Sequence, residues 1–498
     1  MAKSAPIGAG ESLVDLYEVI PPFAYAAITR SRRTGRMMYR VVEPPLTPLD
    51  VEALNEIKRV LMEMQFADLE SLRSKSPEEV LKDLVKKVIK RYRIPVSEDA
   101  FDKIFYYVRR DMVGYGKLEV LMRDPNVEDV SCDGVGTPVY VWHSKYESLP
   151  TNIVFEDADE LERVLVRLSH KAGKQISVAQ PVVEGALPEG YRLHAMLPEV
   201  ARKGGSFTVR KFREVPFSIV DLVRLGTISP ALAAYLWLMV ESKKSVMVVG
   251  ATASGKTTTL NAIATFIRPE AKIVSIEDTP ELNLPHENWV PLITRPSVEP
   301  WVRNVTLFDL LRSALRLRPD YIIVGEVRGE EAFTLFQAIA TGHAGMCTLH
   351  AENVDYAVKR LISEPMNIPL FLIPLMNVFI LIRRLSLEGR VVRRVVEVYE
   401  MLSGEGGKPV KHLVFKYDPV RDTVERAARS ELLGIVAEER FTSIEELEDE
   451  LRRREGVIRF LADRGVTDFR RVSRLVRDYY LRPMAVYAAV ERGVYELD

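Results

Sequence analysis

A chain of 498 residues is too long for one hydrophobic core, so two or three domains are expected. Hydrophobic residues at 47% and charged residues at 28% exclude a mostly disordered chain. With 69 basic against 70 acidic residues the net charge is -1, which excludes a global pull toward nucleic acid or anionic membrane but not local patches.

In chain order, the N-terminus has no long apolar stretch and reads as carrying no signal peptide. Residues 1–45 read as an arm bearing Arg30, Arg32, Arg33, Arg36 and Arg40, a cluster that suits solvent or an anionic lipid or partner equally. Residues 46–111 read as helical. In SPEEVLKDLVKKVIKRY, Ser76, Pro77 and Glu79 form a start signal. Val80, Leu81, Leu84, Val85, Val88 and Ile89 then share one face at helical spacing. Residues 112–213 read as a mixed α/β domain. PVYVW, YRLHAML and SFTVRKF are its strands, and DADELERVLVRLSHKAG is a helix closed by Gly173. The strand pattern stops at REVPFS, which places a linker at 213–218.

Residues 214–400 alternate strands with helices, the signature of a parallel sheet wound with helices. SVMVVG, AKIVSIED and DYIIVGE are its short strands. The most apolar run, MNIPLFLIPLMNVFILI (366–382), contains Pro369, Pro374, Asn367 and Asn377 and barely spans a bilayer, so it reads as buried core. Residues 401–498 read as a charged helical extension, with ten arginines against four acidic residues in 452–482. Cys132 and Cys347 lie far apart without a CxxC pair, which excludes a disulfide scaffold and suits a reducing cytosol.

The chemistry concentrates in four segments. GATASGKT (250–257) fits G-x-x-x-x-G-K-[ST], with an apolar strand before it and the helix formers TTTLNAIATF after its lysine. Gly250, Ala251, Thr252, Ala253, Ser254, Gly255, Lys256, Thr257 and Thr258 are thereby assigned to binding nucleotide phosphates. The glycines let backbone N–H groups turn inward at a helix N-terminus. Lys256 would reach the β and γ phosphates, and Thr257 would give its hydroxyl to Mg²⁺. DYIIVGEVRG (320–329) has the form of a Walker B strand whose Glu326 can support the magnesium shell. IVSIEDTPEL (273–282) ends in Glu277, Asp278 and Glu281, and a carboxylate there could orient and deprotonate an attacking water. TLHAEN presents Thr348 and His350, though a lone histidine is more often structural.

Together, GATASGKT, IEDTPEL, GEVRGEEAFTLFQAIATGH and TLHAEN resemble the Walker A, Asp box, Walker B and His box of the secretion ATPase superfamily. That superfamily powers type II secretion, type IV pili and the archaellum. DPNVEDVSCDGVGTPVYVWHSKYESLPTN and EGYRLHAMLPEVARKGGSFTVRKF are similar to its archaeal members, so the resemblance covers residues 95–385. The four-cysteine zinc insert of bacterial type II members is missing from the sequence, which favours the archaeal branch. The resemblance implies a RecA-like P-loop NTPase domain behind a mixed α/β N-terminal domain, with ATP and Mg²⁺ as ligands. It implies a homo-hexamer, peripheral at the cytoplasmic face of the membrane, working with a polytopic platform protein and pilin or archaellin machinery. It also implies roles: Glu277 as catalytic glutamate, Glu326 as the Walker B glutamate on magnesium, and His350 as γ-phosphate sensor. Arg192 and Arg210 match arginines that reach the γ-phosphate, while by themselves they read equally well as surface ion pairs. The alternative is a nucleic-acid translocase or packaging ATPase on the same core, and the near-zero charge speaks against it.

Overall fold

The computed structural model describes residues 10–63, 77–212, 215–295, 302–387 and 390–495. It divides into two compact units between Arg213 and Glu214, and among the described residues each unit holds a nine-stranded sheet.

The strands of the first unit are β1 (Glu11–Ile20), β2 (Ala24–Ser31), β3 (Met37–Val42), β4 (Val127–Cys132), β5 (Pro138–His143), β6 (Glu147–Val154), β7 (Val182–Ala186), β8 (Arg192–Met196) and β9 (Ser206–Arg210). Their order across the sheet is β1-β2-β3-β6-β5-β4-β9-β8-β7. Residues 11–42 are therefore not an arm, as the sequence suggested, but three strands with Ala26, Ile28 and Tyr39 fully buried. Tyr17 and Tyr39 each donate to the buried Asp124 carboxylate at 2.7 Å, which fastens this meander to the domain that follows. Of the arginine cluster, Arg40 is spent on Glu11 at 2.6 Å, while Arg32, Arg33 and Arg36 lie around the β2–β3 turn. Helices Pro48–Glu63, Pro77–Tyr92 and Glu98–Met112 pack Ile57, Val85 and Ile104 into a core of their own. The expected Ser76 cap lies outside the described residues.

The second unit is built on β10 (Val246–Gly250), β11 (Ile273–Glu277), β12 (Trp289–Ile293), β13 (Tyr321–Val324), β14 (Ala344–His350), β15 (Val378–Leu387), β16 (Arg390–Ser403), β17 (Pro409–Asp418) and β18 (Thr423–Arg426). The order is β12-β11-β13-β14-β10-β15-β16-β17-β18. The pairs from β12 through to β15 are parallel, and those from β15 to β18 antiparallel. Every residue of β10, β11 and β13 is buried, as expected where helices cover both faces of a parallel sheet. The α/β class read from the sequence holds.

The apolar run 366–382 feeds a short 3-10 helix, Leu370–Leu375, and then the buried start of β15. Among the described residues no helix is long and apolar enough to cross a membrane. The segment after 400, expected as helical, begins instead with strands that continue to Arg426. Helices Leu432–Arg440, Ile444–Asp463, Phe469–Leu481 and Pro483–Glu491 follow. Part of its arginine excess is internal. Arg454 is buried, pairs with Glu241 and lies 4.9 Å from the Trp237 ring.

Candidate active site

Four neighbouring parallel strands, β11, β13, β14 and β10, deliver the sequence motifs to one edge of the sheet. Register pairs Ile276 with Val324, Val324 with Cys347, and Gly250 with His350. The strand ends therefore bring Glu277, Glu326, His350 and the P-loop together, as expected for a crevice at the carboxyl edge of a wound sheet.

The P-loop follows β10 and opens helix Lys256–Ala264. Gly250 has no room for a side chain: a Cβ would meet the Ile382 carbonyl at 2.5 Å and Ser254 Oγ at 2.6 Å. Gly255 has φ +93°, and Ala253 takes φ +59°, a left-handed conformation that costs a non-glycine residue about 1 kcal/mol. Three donors converge on one acceptor inside the loop. The Ala251 carbonyl accepts from Ser254 Oγ at 2.8 Å, Lys256 Nζ at 2.9 Å and Ser254 N–H at 3.4 Å. Such convergent donors at a helix N-terminus suit a phosphate oxygen. Burial pulls the Lys256 ammonium down to about 8, with Glu326 and Glu281 opposing the shift. Thr257 and Thr258 are half-buried on the first turn of the helix.

The two glutamates are in contrasting states. Glu277, 3% exposed, is pushed up to about 7 by burial, although Oε1 accepts N–H bonds from Glu281 and Leu282, both at 3.0 Å. Gly325 makes room for it, since a Cβ there would lie 3.1 Å from Glu277 Cγ. Glu326 is also partly desolvated, which raises it. Bonds from His350 Nε2 at 3.2 Å and Arg328 Nη2 at 2.5 Å outweigh that and hold it down at about 2. His350 Nδ1 lies 3.3 Å from Lys256 Nζ, so the histidine bridges the P-loop lysine and the Walker B glutamate. A basic residue, a histidine and an ionised carboxylate thus form one chain beside a neutralisable carboxyl group.

A model of the type II/IV secretion system protein family matches residues 124–417, more than half of the chain. The chain belongs to that family. A second model, PilB3-like C-terminal, matches residues 421–494. Protein MJ0900 of Methanocaldococcus jannaschii is 41% identical over 78% of this chain and 71% of its own length. MJ1287 of the same organism is 47% identical over 48% of this chain and 90% of its own. Among solved structures, the VirB11 ATPase of the Brucella suis type IV secretion system covers 57% of this chain and 92% of that chain. It is 24% identical, with a TM-score of 0.29. The family resemblance drawn from the motifs is borne out.

The two arginines of this family member lie in the first unit. Arg192 on β8 stands directly opposite Arg210 on β9. Arg192 faces Glu184 at 3.7 Å and Arg210 bonds Asp129 at 3.0 Å, with the guanidinium side chains 43% and 53% exposed. Lys256 is in the second unit. Sequence reasoning assigned no task to Arg328 or Glu331. Arg328 grips Glu326, and Glu331 Oε1 accepts from the Arg328 and Gly329 N–H groups at 2.6 and 2.8 Å, shaping the loop after β13. The signal was present as the arginine of GEVRG and the glutamate three residues beyond that arginine. A surface hollow of about 720 Å³ on helix Ala158–Lys171 is lined by none of the predicted site residues, and we place no chemistry there.

Proposed function

We propose that this chain is a Mg²⁺-dependent ATPase that works as a homo-hexameric motor. It would act at the cytoplasmic face of the membrane, on a polytopic platform protein, to assemble an archaeal type IV pilus, an archaellum or a type II secretion-like filament. The observation that carries the catalytic part is the shared edge of β11, β13, β14 and β10, with Glu277, Glu326 and His350 beside a P-loop. Membership of the type II/IV secretion system protein family supports the motor part.

Each residue then has a task set by its environment. Lys256 and the P-loop N–H groups bind the phosphate chain and neutralise its charge. Glu277, poised near neutrality, accepts the proton of the water that attacks the γ-phosphorus in line. Glu326 stays ionised and holds His350, whose other nitrogen faces Lys256 and so the γ-phosphate position. Magnesium fits this donor set. No described group of three or more His, Cys, Asp or Glu could hold a metal by itself. A few hard oxygens, Thr257 Oγ1 and the Glu326 carboxylate, suit an ion that keeps its waters and binds mainly to phosphates. When bound, it would supply neutralisation of the phosphate charge. Arg192 and Arg210 would add a second source of positive charge at the γ-phosphate after domain closure.

Phosphate release tests the reading. The wild-type chain should hydrolyse ATP with Mg²⁺ and stop in EDTA, and Lys256→Ala should release no phosphate and bind ATP weakly. Stimulation by single-stranded DNA without any response to membrane lipid would instead favour the translocase alternative. ATP bound but never turned over would make the protein a nucleotide-gated scaffold.

A further inference from the structure

The arginine doublets that flank the β15–β16 turn, Arg383–Arg384 and Arg393–Arg394, carry no task in the reading above. In register, Arg383 stands opposite Arg394 and Arg384 opposite Arg393. Two of the four reach the loops of the active site. Arg393 Nε donates to the Ala253 carbonyl of the P-loop at 3.2 Å, and its Cδ lies 3.2 Å from the place a Gly255 Cβ would take. Arg383 Nη2 donates to the Glu352 carbonyl, just beyond His350, at 3.3 Å. The strand that carries Arg393 is itself anchored. The neighbouring Arg394 is buried, binds both Asp422 oxygens at 2.7 and 2.8 Å, and donates to the Leu225 carbonyl at 2.8 Å.

The contact matters because of peptide geometry. The Ala253 carbonyl and the Ser254 N–H belong to one planar trans peptide and point in opposite directions. A donor that holds the carbonyl from outside therefore turns the N–H inward. That N–H does point inward here, to the Ala251 carbonyl on which Lys256 and Ser254 Oγ also converge. The peptide needs such a hold, because Ala253 sits at φ +59° without the freedom of glycine. We propose that Arg393 is a positioning residue of the phosphate cradle, fixing the Ala253–Ser254 peptide so that its N–H is aimed at a bound phosphate. The contact is to backbone, so the role is one of preorganisation and should appear in nucleotide affinity more than in the chemical step.

This inference rests on the ATPase reading, and its test separates the two. ATP affinity, KM, kcat and thermal midpoint are measured on the full chain for wild type, Arg393→Ala, Arg393→Lys and Arg384→Ala. Arg393→Ala should raise Kd and KM for ATP on the order of ten-fold, the worth of one charge-assisted hydrogen bond, with kcat within about three-fold. Arg393→Lys keeps a cationic donor and should retain most of the affinity. Arg384→Ala removes the same charge from the same hairpin and should leave KM unchanged. Unchanged Kd in Arg393→Ala, or an equal rise in KM for Arg384→Ala, would overturn the proposal. So would a loss confined to kcat, or one matched by Arg393→Lys. Absence of turnover in the wild type would instead sink the ATPase reading, and the binding arm would still judge Arg393.

Discussion

In the second unit β10, β11 and β13 are buried from end to end, whereas β7, β8 and β9 of the first unit alternate between buried and exposed positions. The difference sets what a polar residue can do in each sheet. A carboxylate at the end of a buried strand loses hydration, and Glu277 becomes a weak acid poised near neutrality. An arginine on an exposed strand keeps both its hydration and its charge. Arg192 and Arg210 even stand opposite each other, an arrangement that costs a sheet a few tenths of a kcal/mol and is offset here by Glu184 and Asp129. One sheet therefore tunes proton affinity, and the other holds exposed, ion-paired arginines.

The largest expected effect would break this contrast from the exposed side. If the paired arginines act on the γ-phosphate, Arg192→Ala or Arg210→Ala should lower hydrolysis by 10³–10⁵ while sparing ATP binding. Full activity in both variants would leave them as surface ion pairs. Mixing Arg210→Ala with Lys256→Ala chains sharpens the point. Activity returns if the arginine serves a neighbouring subunit's P-loop, and stays absent if it serves its own. A smaller effect comes from the buried side. Glu277 must lose its proton to act as base, so kcat/KM should rise with pH through about 7. Lys256 loses its charge above about 8 in the free chain, so kcat/KM should fall again there, giving a bell with roughly ten-fold limbs. A flat profile between pH 6 and 9 would remove Glu277 from the base role.

The parts of this architecture legible in the sequence were those set by local chemistry. GATASGKT needs its glycines and lysine at fixed spacing, and the apolar runs ending in Glu277 and before Glu326 can only be buried strands at this length. Residues 11–42 were harder. Their strands alternate weakly, and the charge cluster at the β2–β3 turn dominates the pattern, so the partner strand that buries Tyr39 is invisible locally. The same holds after residue 400, where Lys, Arg and Glu on the exposed face of β17 and β18 mask a strand period as a charged helix. Arg393 illustrates the limit most clearly. Its meaning depends on a carbonyl 140 residues earlier, and no motif spacing encodes that.

The assignment of Glu277 as the buried base is tested most directly by measuring Glu277→Gln for turnover and thermal stability together at pH 8. Burial raises the folded-state value from 4.5 to about 7, so the stability linked to this group is present at low pH and lost as pH rises through 7. At pH 8 the native chain therefore holds an unfavourable buried charge. Glutamine removes it and still accepts the Glu281 and Leu282 N–H bonds, a gain of up to roughly 3 kcal/mol. The account predicts turnover lowered by 10²–10⁴ with ATP still bound and a raised thermal midpoint that fades toward pH 5. Near-wild-type turnover, or a lowered midpoint at pH 8, would contradict it.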